Sequence, residues 1–351
     1  MSFVEKIKYY KTLFCIILLI TFVLIIYVST LGVADISFGQ SLKVVFEKIP
    51  GIGKYLYDDG VSDTYRTIIW QIRLPRIVLA GLVGMSLSVV GATFQGMFKN
   101  PMADPYVVGV SSGAALGATI AIVIGIEKTF AGIGLINLMA FLGAIATVLV
   151  VYNIARVGTK VPVTALLLAG IAISAMLSSI ISVMMIFNRD KIESIVFWVM
   201  GSVAAASWQQ VITLLPVVII GSILVYFYAK DLNLIMVGEE SAKTLGVETD
   251  KTKKILLVTS SLMIAFTVSV SGIIGFVGLI VPHGVRMLLG PDHRILIPFS
   301  ALGGAIFLII SDTLARTLVS PTEIPVGAVT AIFGSPYFLY LLYKTKKKGV
   351  I

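Results

Sequence analysis

Nine stretches of this chain contain no Asp, Glu, Lys or Arg: residues 12–34, 77–98, 105–126, 129–155, 161–188, 194–229, 255–282, 295–311 and 324–343. Each far exceeds the ~9–11 residues of a membrane barrel strand, and most reach the ~20 apolar residues with which a helix crosses a bilayer. Backbone in hydrocarbon must satisfy its own polar groups, and for single segments of this length only a helix does so. With 58% hydrophobic residues and a mean hydropathy of +1.01, the chain is expected to be an all-α integral membrane protein, one transmembrane domain over residues 1–351.

Two runs are too long for one crossing. The stretch 194–229 predicts a short non-spanning helix at 192–203 followed by a crossing at 208–229. The run from Ile255 to Val285 predicts two helices, 254–271 and 273–289, broken near Ser271-Gly272. The first run is longer than a signal-peptide core and is read as a retained span. Lys6, Lys8 and Lys11 precede it, and Lys344, Lys346, Lys347 and Lys348 close the chain. Two basic ends place both termini in the cytoplasm and require an even number of crossings, ten rather than nine. Arg156, Lys160, residues 230–254, Arg286 and Arg294 then fall inside. Residues 35–72 form an outer loop, with an amphipathic piece around Ser37–Ile49 and an acidic tip at Asp58–Asp59.

Residues 230–254 concentrate ten charges in 25 residues, against 13% for the chain. Within them, Gly238 to Gly246 reads as a short surface helix. Glu239 and Lys243 are spaced i,i+4 with the acid first, and Gly246 supplies a C-terminal stop. Ala242 and Leu245 share a face, led into by Met236 and Val237. Two turns of helix have little stability alone, so that apolar face is expected to rest on something, either this domain or a soluble partner.

Other chemistry is excluded by what is missing. The net charge of +9 comes from Lys and Arg scattered through loops and ends, which is no nucleic-acid footprint. The single cysteine, Cys15, lies in the first apolar run and permits no disulfide within the chain. His283 and His293 are ten apart across a predicted loop, with little nearby to complete a metal shell. Gly51-Ile52-Gly53-Lys54-Tyr55 lacks the spacing and hydroxyl of a phosphate-binding loop. Asp312 is the one acid near a span end, and Arg316, four residues on, is its expected partner. An ion-coupled carrier or a membrane-embedded enzyme needs ionisable groups at membrane depth. Their absence from the runs points to energy supplied from outside the chain. Glycines at 109, 113 and 117, and at 272, 275 and 278, read as stripes where helix backbones pack closely.

Several stretches together resemble the FecCD/vitamin B12 permease family, the membrane subunits of type II ABC importers. They are Gln71-Ile72-Arg73-Leu74-Pro75-Arg76, residues 91–114 (GATFQGMFKNPMADPYVVGVSSGA), and Leu167-Leu168-Ala169-Gly170. Then come Gly238-Glu239-Glu240-Ser241-Ala242 with Leu245-Gly246-Val247, residues 272–286 (GIIGFVGLIVPHGVR), Asp292-His293-Arg294 and Glu323-Ile324-Pro325-Val326-Gly327. They follow the family's order from about residue 70 to the end.

The resemblance implies ten transmembrane helices per subunit and a short cytoplasmic coupling helix, in a multi-pass protein of the cell membrane. It implies a pair of permease subunits (homodimer or paralogue), two ABC ATPase subunits and an external or periplasmic substrate-binding protein. The subunit itself would bind no cofactor; ATP and Mg belong to the ATPases. By resemblance the coupling helix comprises Gly238, Glu239, Glu240, Ala242, Leu245 and Gly246, with Ala242 and Leu245 as apolar contact and the acids as polar rim. Arg73 and Arg316 match outer arginines that form exposed salt bridges with the binding protein. Val163 and Thr164 match the cytoplasmic gate, with Pro162 stiffening their loop. The cargo most common in the family is an iron(III)-siderophore or similar iron complex, with cobalamin, haem and molybdate carried by relatives. An ion-coupled secondary carrier is the alternative class.

Overall fold

The computed structural model describes residues 3–32, 34–48, 53, 60–125, 129–130, 133–158, 161–319 and 322–347. Asp58, Asp59, Lys160, Lys348 and most of the Gly51–Tyr55 stretch lie outside the described residues. Among the described residues seven helices are long and apolar enough to cross a membrane: Lys8–Thr30, Asp63–Met97, Leu135–Ala155, Val163–Phe187, Trp208–Phe227, Thr249–Ser271 and His293–Thr317. Three shorter apolar helices of 10–17 residues, Val110–Ile124, Val277–Leu289 and Val326–Tyr340, accompany them.

In chain order the helices are α1 (Phe3–Thr30), α2 (Phe38–Glu47), α3 (Asp63–Thr67), α4 (Leu74–Met97), α5 (Val110–Ile124), α6 (Leu135–Ala155), α7 (Val163–Phe187) and α8 (Ile192–Met200). They continue as α9 (Trp208–Phe227), α10 (Ala229–Val237), α11 (Glu239–Thr244), α12 (Thr249–Ser271), α13 (Val277–Leu289), α14 (His293–Thr317) and α15 (Val326–Lys347). A π-helical turn, Ile68–Arg73, runs from α3 into α4. The only ladder among the described residues is an antiparallel pair of two-residue strands, Thr129–Phe130 and Ile133–Gly134.

Local chemistry explains the boundaries. Ser37 and Ser207 are N-caps whose hydroxyls accept from the amides of Gln40 and Gln210, while those glutamines accept from the serine amides in return. These reciprocal caps start α2, the amphipathic piece expected after the first span, and α9, the crossing expected at 208–229. The short helix expected at 192–203 is α8. The break expected near Ser271-Gly272 lies there: Gly272 closes α12 at φ +65°, a left-handed geometry that a side chain would strain.

Helix α4 is the axis of the bundle, its apolar window 89% buried. It crosses α14 so closely that a Cβ on Gly84 would collide with the Gly304 carbonyl, and one on Gly304 with Gly84. Without a hydrophobic drive between helices in lipid, such backbone-to-backbone packing is what holds a bundle together. Of the stripe at 109, 113 and 117, the last two behave as expected, since a Cβ on Gly113 or Gly117 would strike α6 at Gly143 or Met139, whereas Gly109 is the left-handed N-cap of α5 at φ +80°. The stripe at 272, 275 and 278 does not lie on one helix. Gly272 is a turn packed against Trp198 and Gly201, a Cβ on Gly275 would enter open space, and Gly278 packs against Leu87 and Pro105.

The unwound residues 272–276 lie inside the protein, so their backbone needs partners there. The Tyr106 hydroxyl donates to the Ile274 carbonyl at 3.0 Å and accepts from its amide at 3.2 Å. Nearby, the Ser202 amide donates to Ser271 O at 2.8 Å and the Gly327 amide to Gly201 O at 3.3 Å. Three chain breaks thus satisfy one another. The bundle has two distinct ends. One carries the start of α1, whose Tyr10 hydroxyl donates to Leu289 O at 3.4 Å, together with α10 and α11; the other carries α2, α3 and the last turn of α1.

Candidate functional site

Helix α11 stands where the charged segment 230–254 predicted a surface helix. Gly238 is its N-cap and Leu245 its C-cap. Gly246 follows at φ +86°; its amide donates to Lys243 O at 2.9 Å and that of Val247 to Ala242 O at 3.0 Å. These paired bonds form a Schellman ending, in which the residue beyond the cap must be left-handed. Ala242 is fully buried, packed with Ile235 of α10 and Val247. Leu245 is 68% exposed and Val237 80% exposed.

Two expectations for this helix are corrected. Ala242 faces this chain's own body, so it is not a partner contact, and Leu245 is the exposed member of the pair. Glu239 does not pair with Lys243 either: its carboxylate takes Lys253 Nζ, in the second turn of α12, at 2.5 Å, while Lys243 reaches Glu240 at 3.2 Å. The i,i+4 rule describes an isolated helix, and here a cation from another helix is nearer. The Lys253 ammonium holds the Glu239 carboxyl below its usual range. Glu240 is exposed and forms a polar edge beside Leu245.

A second cluster lies at the start of α7. Pro162 is its N-cap, with Val163 half-buried and Thr164 exposed. Val161 and Val163 line a cavity of about 50 Å³ whose other walls include Met97, Phe98, Lys253 and Lys254. Below Phe98 the chain turns back on itself. Lys99 takes the left-handed position after α4 at φ +51°, and Asp104 accepts from the Tyr106 amide at 2.7 Å. Burial raises the Asp104 carboxyl to about 6.

The opposite end holds the two expected docking arginines, but neither guanidinium is free. Arg73 is 7% exposed and donates to the carbonyls of Ser29 (2.8 Å), Thr30 (3.0 Å) and Ala34 (3.0 Å). Arg316 donates to Leu31 O at 2.8 Å and Val28 O at 2.7 Å. Both therefore cap the C-terminal end of α1, where helix carbonyls have no internal donors. The expected Arg316–Asp312 pair is also replaced: Asp312, 2% exposed, binds Arg76 at 2.9 Å, and Arg76 reaches on to Glu323 at 2.9 Å. A buried acid within α14 thus exists, neutralised by a cation from α4. Beside Glu323 lies a cavity of about 430 Å³, lined among others by Asn137, Ser194, Trp198, Ser202 and Gln210.

Both histidines are helical rather than in a loop. His283 lies within α13, and His293 opens α14, fully buried, its Nδ1 2.7 Å from Asn233 Oδ1. Asp292, the cap of α14, binds Asn233 and Arg294; the Arg294 guanidinium chiefly holds its carboxyl down at about 2. This cluster fastens α10, the base of α11, to α14. Reasoning on the sequence missed Arg76, Lys253 and Asn233 because each partner is distant along the chain. Arg76 alone had a local signal, repeating the Arg73 pattern three residues on.

A model of the FecCD transport family matches residues 17–344. The cobalamin import system permease protein BtuC of Halobacterium salinarum is 47% identical over 289 residues, covering 81% of this chain and 75% of that protein. The hemin transport system permease protein HmuU of Yersinia pestis is 40% identical, covering 84% of this chain and 88% of that one. Among solved structures, an inward-facing ABC transporter provisionally assigned to the metal-chelate type aligns with a TM-score of 0.74 and 34% identity. It covers 88% of this chain and 98% of that chain.

Proposed function

Because the chain belongs to the FecCD transport family, we propose that it is the permease subunit of a binding-protein-dependent importer whose cargo is a bulky metal chelate. The observation that carries this reading is α11: a helix too short to stand alone, docked on the membrane domain through Ala242, with Leu245 and Val237 turned outward. A partner that hydrolyses ATP would seat on that face, and the chain itself performs no chemistry on the cargo. The seven long and three shorter apolar helices would make ten crossings, with both termini on the α11 side. Two copies, or this chain and a paralogue, would enclose the path.

At the other end a substrate-binding protein would deliver cargo near the cavity beside Glu323. Arg73 and Arg316 would serve that docking by fixing the rim rather than by touching the partner's carboxylates. Residues Val163 and Thr164 would form the mouth on the α11 side. Relatives named for cobalamin, hemin, Fe(3+)-citrate and molybdate support a cargo range in which the iron(III)-siderophore expected from the family at large is one member. The test is ATP hydrolysis in liposomes by this chain co-expressed with the ATPase and binding protein encoded beside it. Cobalamin, hemin, iron(III)-siderophore and molybdate would be added in turn with the binding protein. Stimulation by one chelate is expected. Stimulation by molybdate alone would refute the chelate assignment, and failure of any ATPase to co-purify would refute the importer.

A further inference from the structure

Glu239 begins α11, yet its salt bridge leaves the helix. Its partner Lys253 is 16% exposed and Glu239 39% exposed, with Lys99 and Lys243 the other cations acting on the same carboxylate. The apolar side of α11 rests on α10 and on Val247, so the ion pair is its polar tie to α12. Lys253 also forms a wall of the cavity beneath Val161 and Val163. One side chain therefore touches both the outward-facing helix and the hollow under the mouth. That hollow leaves room for the base of α12 to move against the start of α7.

We propose that the Glu239–Lys253 ion pair is the link through which displacement of α11 moves the base of α12 and reshapes the mouth at Val161–Val163. The link rests on the importer reading above. Lys253 is a positioning residue, acting on the mouth through the wall it forms.

The experiment uses the complex with its ATPase in nanodiscs. Cys15→Ser removes the native thiol and Thr164→Cys, at an exposed position, reports on the mouth through its rate of labelling by a polar maleimide. In this parent Mg-ATP is expected to change the rate. Lys253→Glu should cut that change by roughly fivefold, the ratio set by the upper end of what a partly exposed ion pair contributes, with the ATPase still co-purifying. Glu239→Lys combined with Lys253→Glu should restore it. A role confined to stability would lower the unfolding temperature of Lys253→Glu without rescue of the nucleotide response by the swap. An undiminished response in Lys253→Glu, or a loss that the swapped pair does not repair, overturns the link. If an ATPase co-purifies but the parent's mouth ignores Mg-ATP, the link alone fails. If none co-purifies, the importer reading fails and the link with it.

Discussion

Five carbonyls between Val28 and Ala34 accept from Arg73 and Arg316, so both guanidiniums are committed to the end of α1. A long cation near the end of a span finds the nearest uncompensated partial charge, which here is the negative end of α1. Arg316→Gln should destabilise the protein by about 2 kcal/mol, the scale of hydrogen bonds to a charged group, with Arg316→Lys recovering part. Thermal unfolding in nanodiscs measures this; an unchanged midpoint would show that the arginine does not cap. Asp104 gives a pH signature of opposite sign to an ordinary ion pair. Its folded value of about 6 exceeds the ordinary 3.8, so the native state holds the proton more tightly than the unfolded chain. Stability should therefore fall as pH rises from about 4 through 6, and Asp104→Asn should flatten that slope by keeping the acceptor and removing the charge. Equal slopes in both proteins would refute the assignment.

At the scale of an element, α11 shows both the reach and the limit of local rules. Its existence, its glycine stop and its surface position are legible in Gly238–Gly246, because capping and charge density act over a few residues. Its side-chain pairings are not, because Lys253 and Ile235 reach it from other helices. Burying Ala242 leaves Leu245 as the apolar anchor of the exposed face. Leu245→Asp should leave unfolding of the isolated permease within about 0.5 kcal/mol, since the site is exposed in the free chain. It should reduce recovery of the co-purified ATPase by roughly tenfold, the effect of losing one interface anchor. Full recovery would mean that α11 is not the docking element. The same contrast holds at α12 and α13: the break at Gly272 is written in the chain, whereas its stabilisation by the Tyr106 hydroxyl is not.

Across the whole molecule, the two ends divide the work. One presents α11 and the start of α7, the other the arginines at the end of α1 and a cavity beside Glu323, and α4 runs between them as a buried axis locked to α14 through Gly84 and Gly304. The sequence by itself determined that the chain is a helical membrane protein, that its longest runs break before residue 208 and near Gly272, and, through scattered motifs in order, its family. Those properties depend on local hydropathy, glycine and capping chemistry, all of which act within a turn or two. Only the tertiary structure decided which charges meet: Arg76 with Asp312, Lys253 with Glu239, and Arg73 and Arg316 with the end of α1. In a low-dielectric bundle a buried charge is stabilised by a partner, whose identity depends on which helices lie side by side rather than on neighbours in the chain.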